Sequence, residues 1–500
     1  MHMPGHKGLA PDSSKPWASA FAYDITEIKG ADELFHAEGI IAESERNASK
    51  LFGCDTYYST EGSSLCIRAM LYLCRVNARA ATAAAKSNAD AASATADSAA
   101  SATADSVASA SANATAHAPA APRPWVLAAR NVHQAFVTAA ALLDLDVEWV
   151  YPTEARGANE TGAQEADAGN AATEAVSLIT MNIGGEEIRV ALEEGVKLYG
   201  TLPCCVYVTS PDYTGHILPI SEISKVCHEK KVPLVVDNAH GAYLKFLPES
   251  LHPIDLGADM CCDSAHKTLQ VLTGGAYLHL KSEILSAKKE DVKRAMALFA
   301  STSPSWLILQ SLDRQNELLA SAFGAEIRES CETVCAMKKQ LSEHGFVLWG
   351  EEPMKITILT RAWGYTGEEF AELLRNAEKP VEVEFADKDM VVLMVAPCQS
   401  KAELKGVVQV ILNVPRKTVL SANKAASGFV RPKRVMSIRE AAMRPCETVP
   451  LEKAEGRVAH LMAASCPPAV PIVICGEKIE TEEISCLYEY GYNFCQVILD

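Results

Sequence analysis

Five short, continuously apolar runs leave this chain few ways to fold: WVLAA (125–129), VEWVY (147–151), VSLIT (176–180), CCVYVTS (204–210) and VPLVVD (232–237). A strand with one solvated face alternates apolar and polar residues, so runs without alternation indicate strands covered on both faces. Helical patterns separate several of them, for example ISEISKVCHEKK at 220–231. Strands alternating with helices predict a mainly parallel α/β sheet. At 500 residues the chain exceeds one ordinary domain, so smaller domains are expected beside the large one.

Two stretches break the pattern. Residues 78–122 are dominated by Ala, Ser, Thr and Asp and contain the tandem repeat SATADSAA/SATADSVA at 93–108, and residues 153–175 are similarly poor in large apolar groups. Neither can offset its ordering entropy by burying surface, so both are expected to be loop insertions in one folded domain. No apolar run reaches the ~18 residues of a membrane span, and the N-terminus lacks the apolar core of a signal peptide. A cytoplasmic protein without a membrane partner is expected.

Charge and cysteine spacing narrow the function further. Lys and Arg total 46 against 63 Asp and Glu, for a net charge of −17. Such a chain repels phosphate backbones, which argues against nucleic acid as a partner and mildly favours cationic small molecules. The 16 cysteines include the adjacent pairs Cys204–Cys205 and Cys261–Cys262 but no C-x-x-C. Their spacing predicts buried thiols serving as small hydrophobes, with neither a metal site nor a disulfide framework.

In parallel α/β sheets ligands collect beyond the carboxyl ends of the strands. Here those positions are polar: RNVHQAF follows WVLAA, TSPDYTG follows CCVYV, DNAHGAY follows PLVV, and DSAHKTL follows ADMCC. Four such ends, with two DxAH elements and a lysine, suggest a common ligand. Pyridoxal 5'-phosphate requires a partly desolvated lysine, a carboxylate for its ring nitrogen, a flat side chain on the ring, and hydroxyl or N–H donors for its phosphate. Lys267, Asp237 and His133 are the candidates for the first three roles. Gly62, Ser63 and Ser64, which open a helical pattern, together with Ser264 and His266, are the candidates for the fourth. Each alone has an ordinary explanation: a solvated lysine, a helix-capping aspartate, a structural histidine. Their joint occurrence at successive strand ends makes a cofactor site the better reading.

The segments MHMPGHKG, YDITEIKGADELFHAEGII, DNAHGAYL, SAHKTLQVLTGGAYL and STSPSWLILQSLD, with the tail at 437–479, resemble the ornithine/lysine/arginine decarboxylases of the fold type I pyridoxal-phosphate superfamily. The resemblance spans nearly the whole chain outside the two low-complexity stretches, and its length is similar to that of a compact branch that includes Bacillus-type arginine decarboxylases. It implies an aminotransferase-like major domain over residues 1–300, a linker helix and small α/β domain over 301–420, and a decarboxylase C-terminal domain over 421–500. By position, Lys267 matches the cofactor-bearing lysine, Asp237 the ring-nitrogen partner and His133 the stacked histidine. Ser264, His266, Ser63 and Ser64 match residues near the phosphate. Ala239 and His240 match positions beside the cofactor, His240 close to its phenolic oxygen and the substrate. The segment ASTSPS (300–305) resembles one donated across a dimer interface, which would bring Thr302 and Ser303 to the partner's cofactor.

The resemblance implies decarboxylation of arginine, lysine or ornithine to an amine and carbon dioxide, by a homodimer or higher homo-oligomer with shared sites. The chain departs from the family pattern at Gln134 and Ala135 in place of Lys and Ser. It has Asn238 where an acidic residue is usual, and Cys466, Ala469 and Cys475 where the tail motif carries Tyr, Gly and Pro. The same cofactor contacts would serve an aminotransferase or another lyase. The altered tail also leaves room for a noncatalytic partner of an active paralogue.

Overall fold

The computed structural model describes residues 2–80, 123–153, 181–321, 323–420, 431–460 and 470–499. The expected strand at 176–180 and all but the first residues of the two expected insertions lie outside them. Residues 78–80, expected to begin the first insertion, instead continue the helix that starts at residue 62.

A seven-stranded sheet organises the first 280 residues: β1 (Asp55–Ser59), β2 (Trp125–Ala129), β3 (Asp146–Val150), β4 (Val206–Thr209), β5 (Leu234–Asp237), β6 (Met260–Asp263) and β7 (Ala276–Leu280), in the order β1-β7-β6-β5-β4-β2-β3. Only β7 runs antiparallel to its neighbours. Helices Gln134–Leu143 and Ile220–Glu229 make the crossovers from β2 to β3 and from β4 to β5. The mainly parallel α/β architecture expected from the apolar runs is therefore present.

Alternation explains why those runs are continuously apolar. On β2, Val126 and Ala128 enter the core on one face, while Trp125, Leu127 and Ala129 enter a second core on the other. Tyr207, Val235 and Cys262 share the first face, whereas Val206, Val208, Val236 and Cys261 share the second. With both faces covered, the central strands β2, β4, β5 and β6 carry no charged residue until they end, whereas the edge strand β3 holds Glu148 half-buried. Nine of the fifteen described cysteines are buried, in keeping with thiols as packing groups, although Cys335, Cys398 and Cys446 are exposed.

Beyond β7, helices Trp306–Ala320 and Phe323–His344 lead to an antiparallel sheet of β8 (Leu348–Trp349), β9 (Lys355–Leu359), β10 (Phe385–Ala386) and β11 (Met390–Met394). A two-stranded sheet pairs β12 (Cys446–Pro450) with β13 (Phe494–Ile498). No helix among the described residues is long and apolar enough to cross a membrane.

The β10–β11 turn carries a titratable weak point. Asp387 is buried, and its Oδ1 accepts from the backbone N–H groups of Asp389 (2.8 Å) and Met390 (3.0 Å). Burial, reinforced by the Asp389 carboxylate, outweighs those bonds and pushes its pKa up to about 7. An unfolded aspartate titrates near ~3.9, so the folded state holds the extra proton between those values. The contribution of this group to stability is fully present below that lower value and is lost as pH rises through about 7. Asp387→Asn keeps an acceptor for both N–H groups and cannot ionise. Denaturant unfolding should find the variant more stable than wild type at pH 8, on the order of ~1–4 kcal/mol, with the difference vanishing toward pH 4. A pH-independent difference would mean that Asp387 is not the titrating group.

Candidate active site

The carboxyl ends of β1, β2, β4, β5 and β6 open onto one cavity of about 260 Å³. This lies near the lower limit of small-molecule sites, roughly 300–1,000 Å³. Gly62, Ser63 and Ser64 line it after β1, Asn131 and His133 after β2, Asp212 and Tyr213 after β4, Asp237, Ala239 and His240 at the end of β5, and Ser264, His266 and Lys267 after β6. Ten of the twelve residues singled out from the sequence thus share one space. The exceptions are Thr302 and Ser303, which are exposed and outside it. Their segment reaches the cavity's edge in another way, because the Ser301 N–H donates to Glu61 Oε1 (2.7 Å), one residue before Gly62.

Lys267 sits in a single helical turn, Ala265–Thr268, set by β6. Its Nζ lies 2.9 Å from His240 Nε2. Burial pulls the lysine pKa down, opposed chiefly by the Asp237 carboxylate. Burial also holds His240 well below its ordinary value, with Lys355 and Lys267 adding repulsion. The pair is therefore biased toward an uncharged amine beside an uncharged imidazole, the state a nucleophilic lysine needs.

Asp237 ends β5 and is buried. Tyr207 donates its hydroxyl to Oδ2 (3.1 Å), the Ala239 N–H donates to Oδ1 (3.2 Å), and the Cys262 thiol approaches Oδ1 at 3.7 Å. Tyr207 and Cys262 belong to the strands on either side and face the same way, so the sheet register itself orients the carboxylate. Its tyrosine partner could not be read from the sequence, because CCVYV presents that residue as one more apolar strand position.

His133 is the N-cap of helix Gln134–Leu143, and its Nδ1 accepts from the Ala135 N–H (3.1 Å). The cap fixes the ring plane on the cavity wall. Burial lowers its pKa against the pull of Asp237. On the opposite side, Ser264 donates to Ser63 Oγ (2.9 Å), joining the helix start after β1 to the lysine turn. Gly62 serves differently from expectation. Its N–H is already bonded to Gly274 O (2.7 Å), and its φ of +69° accounts for glycine there. The open donors of that first turn therefore begin at Ser63. His266 is likewise tied to Gly275 O through Nδ1 (3.0 Å).

These residues fit pyridoxal phosphate. Besides the lysine and the oriented carboxylate, two buried polar atoms on the cavity wall, Asn131 Oδ1 and His240 Nδ1, have no partner among the described residues. Buried groups left unpaired in a folded protein commonly await a ligand or water.

The tail also reaches the cavity, through Val470 and Pro471. They are held by Arg130, which is 1% exposed and donates to Glu477 Oε1 (2.5 Å) and Oε2 (2.8 Å), Pro471 O (3.1 Å) and Ile472 O (3.1 Å). Sequence reading placed interest on the altered tail but missed Arg130, three residues before His133. A buried-looking arginine directly after an apolar strand was the available signal.

The family model described as Orn/Lys/Arg decarboxylase, major domain, matches residues 77–362, more than half of the chain, and the C-terminal domain of the same family matches residues 422–491. The arginine decarboxylase of Bacillus subtilis is 24% identical over 98% of this chain and 89% of its own length, and that of Halalkalibacterium halodurans is 25% identical with the same coverage. Among solved structures, the lysine decarboxylase of Francisella novicida superposes with a TM-score of 0.72 at 16% identity, covering all of this chain and 79% of its own. The constitutive lysine decarboxylase of E. coli gives 0.70 at 18% identity, with the same coverage. The strand order, the cavity at the strand ends and these matches agree: the chain belongs to the Orn/Lys/Arg decarboxylase family of pyridoxal-phosphate-dependent amino-acid decarboxylases.

Proposed function

We propose that this chain binds pyridoxal phosphate on Lys267 and decarboxylates a basic amino acid, arginine first and lysine next, releasing carbon dioxide and the amine. The observation that carries the reading is the opening of Lys267 and the oriented Asp237 carboxylate onto one cavity. When bound, the cofactor supplies the electron sink for the pair left behind as the Cα–carboxylate bond breaks. Asp237 is placed to hold a proton on the ring nitrogen, and His133 to cover the ring. Ser63, Ser64 and Ser264 offer donors to the phosphate. Lys267 Nζ and His240 Nε2, 2.9 Å apart, are the groups that can return a proton to Cα.

Two observations support a basic substrate: the full-length similarity to arginine decarboxylases, and the position of Glu384. Tyr213 lines the cavity and donates its hydroxyl to Glu384 Oε1 (2.8 Å), and the Glu384 charge, after that of Asp237, opposes the lowering of the Lys267 pKa by burial. A carboxylate there would attract a distal guanidinium or ammonium group. Arginine, lysine and ornithine should be assayed side by side for carbon dioxide and amine, with wild type and Glu384→Gln. Loss of a charge-assisted bond of ~1.5–3 kcal/mol should raise KM for the preferred substrate about tenfold or more, with kcat little changed. A keto acid in place of the amine would mark an aminotransferase, and the absence of any product a noncatalytic partner.

The active form in this reading is a homodimer or a higher homo-oligomer. Thr302 and Ser303, exposed in the single chain, would approach the cofactor phosphate in the partner's site. Co-expression of Lys267→Ala with a Thr302→Tyr/Ser303→Tyr variant should restore part of the activity, because a mixed dimer rebuilds one intact site. A fully active monomer would refute the shared site.

A further inference from the structure

On the face of the sheet opposite Asp237, four metal-ligating side chains converge in the protein interior. β6 contributes Cys261 and Asp263, which share a face because they are two residues apart. In the β6–β7 pairing His279 lies directly opposite Cys261, on the same face. His252 covers them from the loop that precedes β6. All four are fully or almost fully buried, and their ligand atoms lie within 4.8 Å of one another. Asp263 Oδ2 is 3.1 Å from both His252 Nε2 and His279 Nε2, and Cys261 Sγ is 4.0 Å from His252 Nε2.

We propose that His252, Cys261, Asp263 and His279 bind one zinc ion, in a structural site that braces the lysine turn from behind. Four-coordinate zinc with bonds of about 2.0–2.3 Å places neighbouring donors about 3.3–3.8 Å apart, close to the separations found here. The donor set of two imidazoles, a thiolate and a carboxylate suits zinc among the divalent ions. Charge also balances: one carboxylate and one thiolate neutralise a divalent cation, which a fully buried site requires. The imidazole rings cross at 88°, so their Nε2 atoms converge without stacking.

Neighbours support two of the four ligands, Asp263 and His279, as they do in metal sites. Asn238 Nδ2 donates to Asp263 Oδ1 (2.7 Å), leaving Oδ2 for the ion. His279 Nδ1 pairs with Thr56 Oγ1 (3.0 Å). Asn238 stands where the family resemblance implies an acidic residue. A carboxylate there would repel Asp263, whereas the amide donates to it. No fixed spacing in the sequence signals this cluster, and the proposal departs from the metal-free expectation drawn from cysteine spacing.

Since Asp263 immediately precedes Ser264 and the lysine turn, the ion would tie β6, β7 and the 252 loop together behind the site. The test is metal analysis of the holoenzyme purified without chelator, which needs no activity readout. About one zinc per chain is expected. Protein grown with cobalt should show the visible bands of a four-coordinate ion and a sulfur-to-cobalt transition that disappears in Cys261→Ser. His252→Asn should lower metal content at least about tenfold. Should the variants fail to fold, metal content and the cobalt spectrum of the wild-type protein decide alone. Folded protein without bound metal and without a cobalt spectrum, or full zinc content retained in both variants, would overturn the assignment in favour of a hydrogen-bonded His–Asp–His cluster.

Discussion

Lys267→Ala should lose turnover by about 10⁴-fold or more, because one change removes both the proposed covalent attachment point and a proposed proton donor at Cα. Stability should hold. The amine is held by burial against its charged form and makes one side-chain bond, to His240, and its side chain faces an open cavity. Truncation therefore relieves a desolvation cost and leaves no sealed void. Carbon dioxide release and denaturant unfolding, measured together, check both halves. Borohydride reduction and peptide mapping of wild type should place the cofactor on Lys267. Asp237→Asn makes the informative contrast. It should keep cofactor and fold but exchanges for a neutral amide the carboxylate proposed to face the ring nitrogen, so turnover should fall at least about tenfold, the equivalent of a charge-assisted bond of ~1.5–3 kcal/mol. Near-normal activity in either variant would refute the assigned roles.

The second large effect is expected at a buried pair that supports the cavity wall. Arg130→Met should cost about 3–5 kcal/mol, because it strands the buried Glu477 carboxylate and frees two carbonyls. Glu477 would keep only the Ile474 N–H (2.7 Å) among its described bonds, and the arginine's contact with the Trp149 ring would also be lost. Val470 and Pro471 would lose their anchor, so KM should rise along with the loss of stability. The control is Arg130→Met combined with Glu477→Met. Apolar replacement of a whole buried pair is often nearly neutral, so the double variant should recover much of the stability lost by the single one. A single variant as stable as wild type, or a double variant no better than the single, would show that the pair does not hold the tail.

Much of the site is legible before any fold is known, for a geometric reason. Parallel strands place their carboxyl ends along one edge of the sheet, so polar residues ending successive apolar runs must meet there. His133, Asp237 with His240, and Ser264 with Lys267 are all of this kind. β1 and β7 were harder to read. DTYYS carries polar residues through a sheet edge, and AYLHL hides a histidine that points away from the cavity side.

What the sequence by itself determined is the mainly parallel sheet and the line of chemistry along its carboxyl edge, because both follow from local periodicity. Only the tertiary structure decided which groups pair across the chain. It placed the Tyr207 hydroxyl on Asp237, occupied the Gly62 N–H with Gly274, joined Arg130 to Glu477 and gathered His252, Cys261, Asp263 and His279 on one face. Such partners are set by strand register and by how domains dock, and neither leaves a periodic trace along the chain.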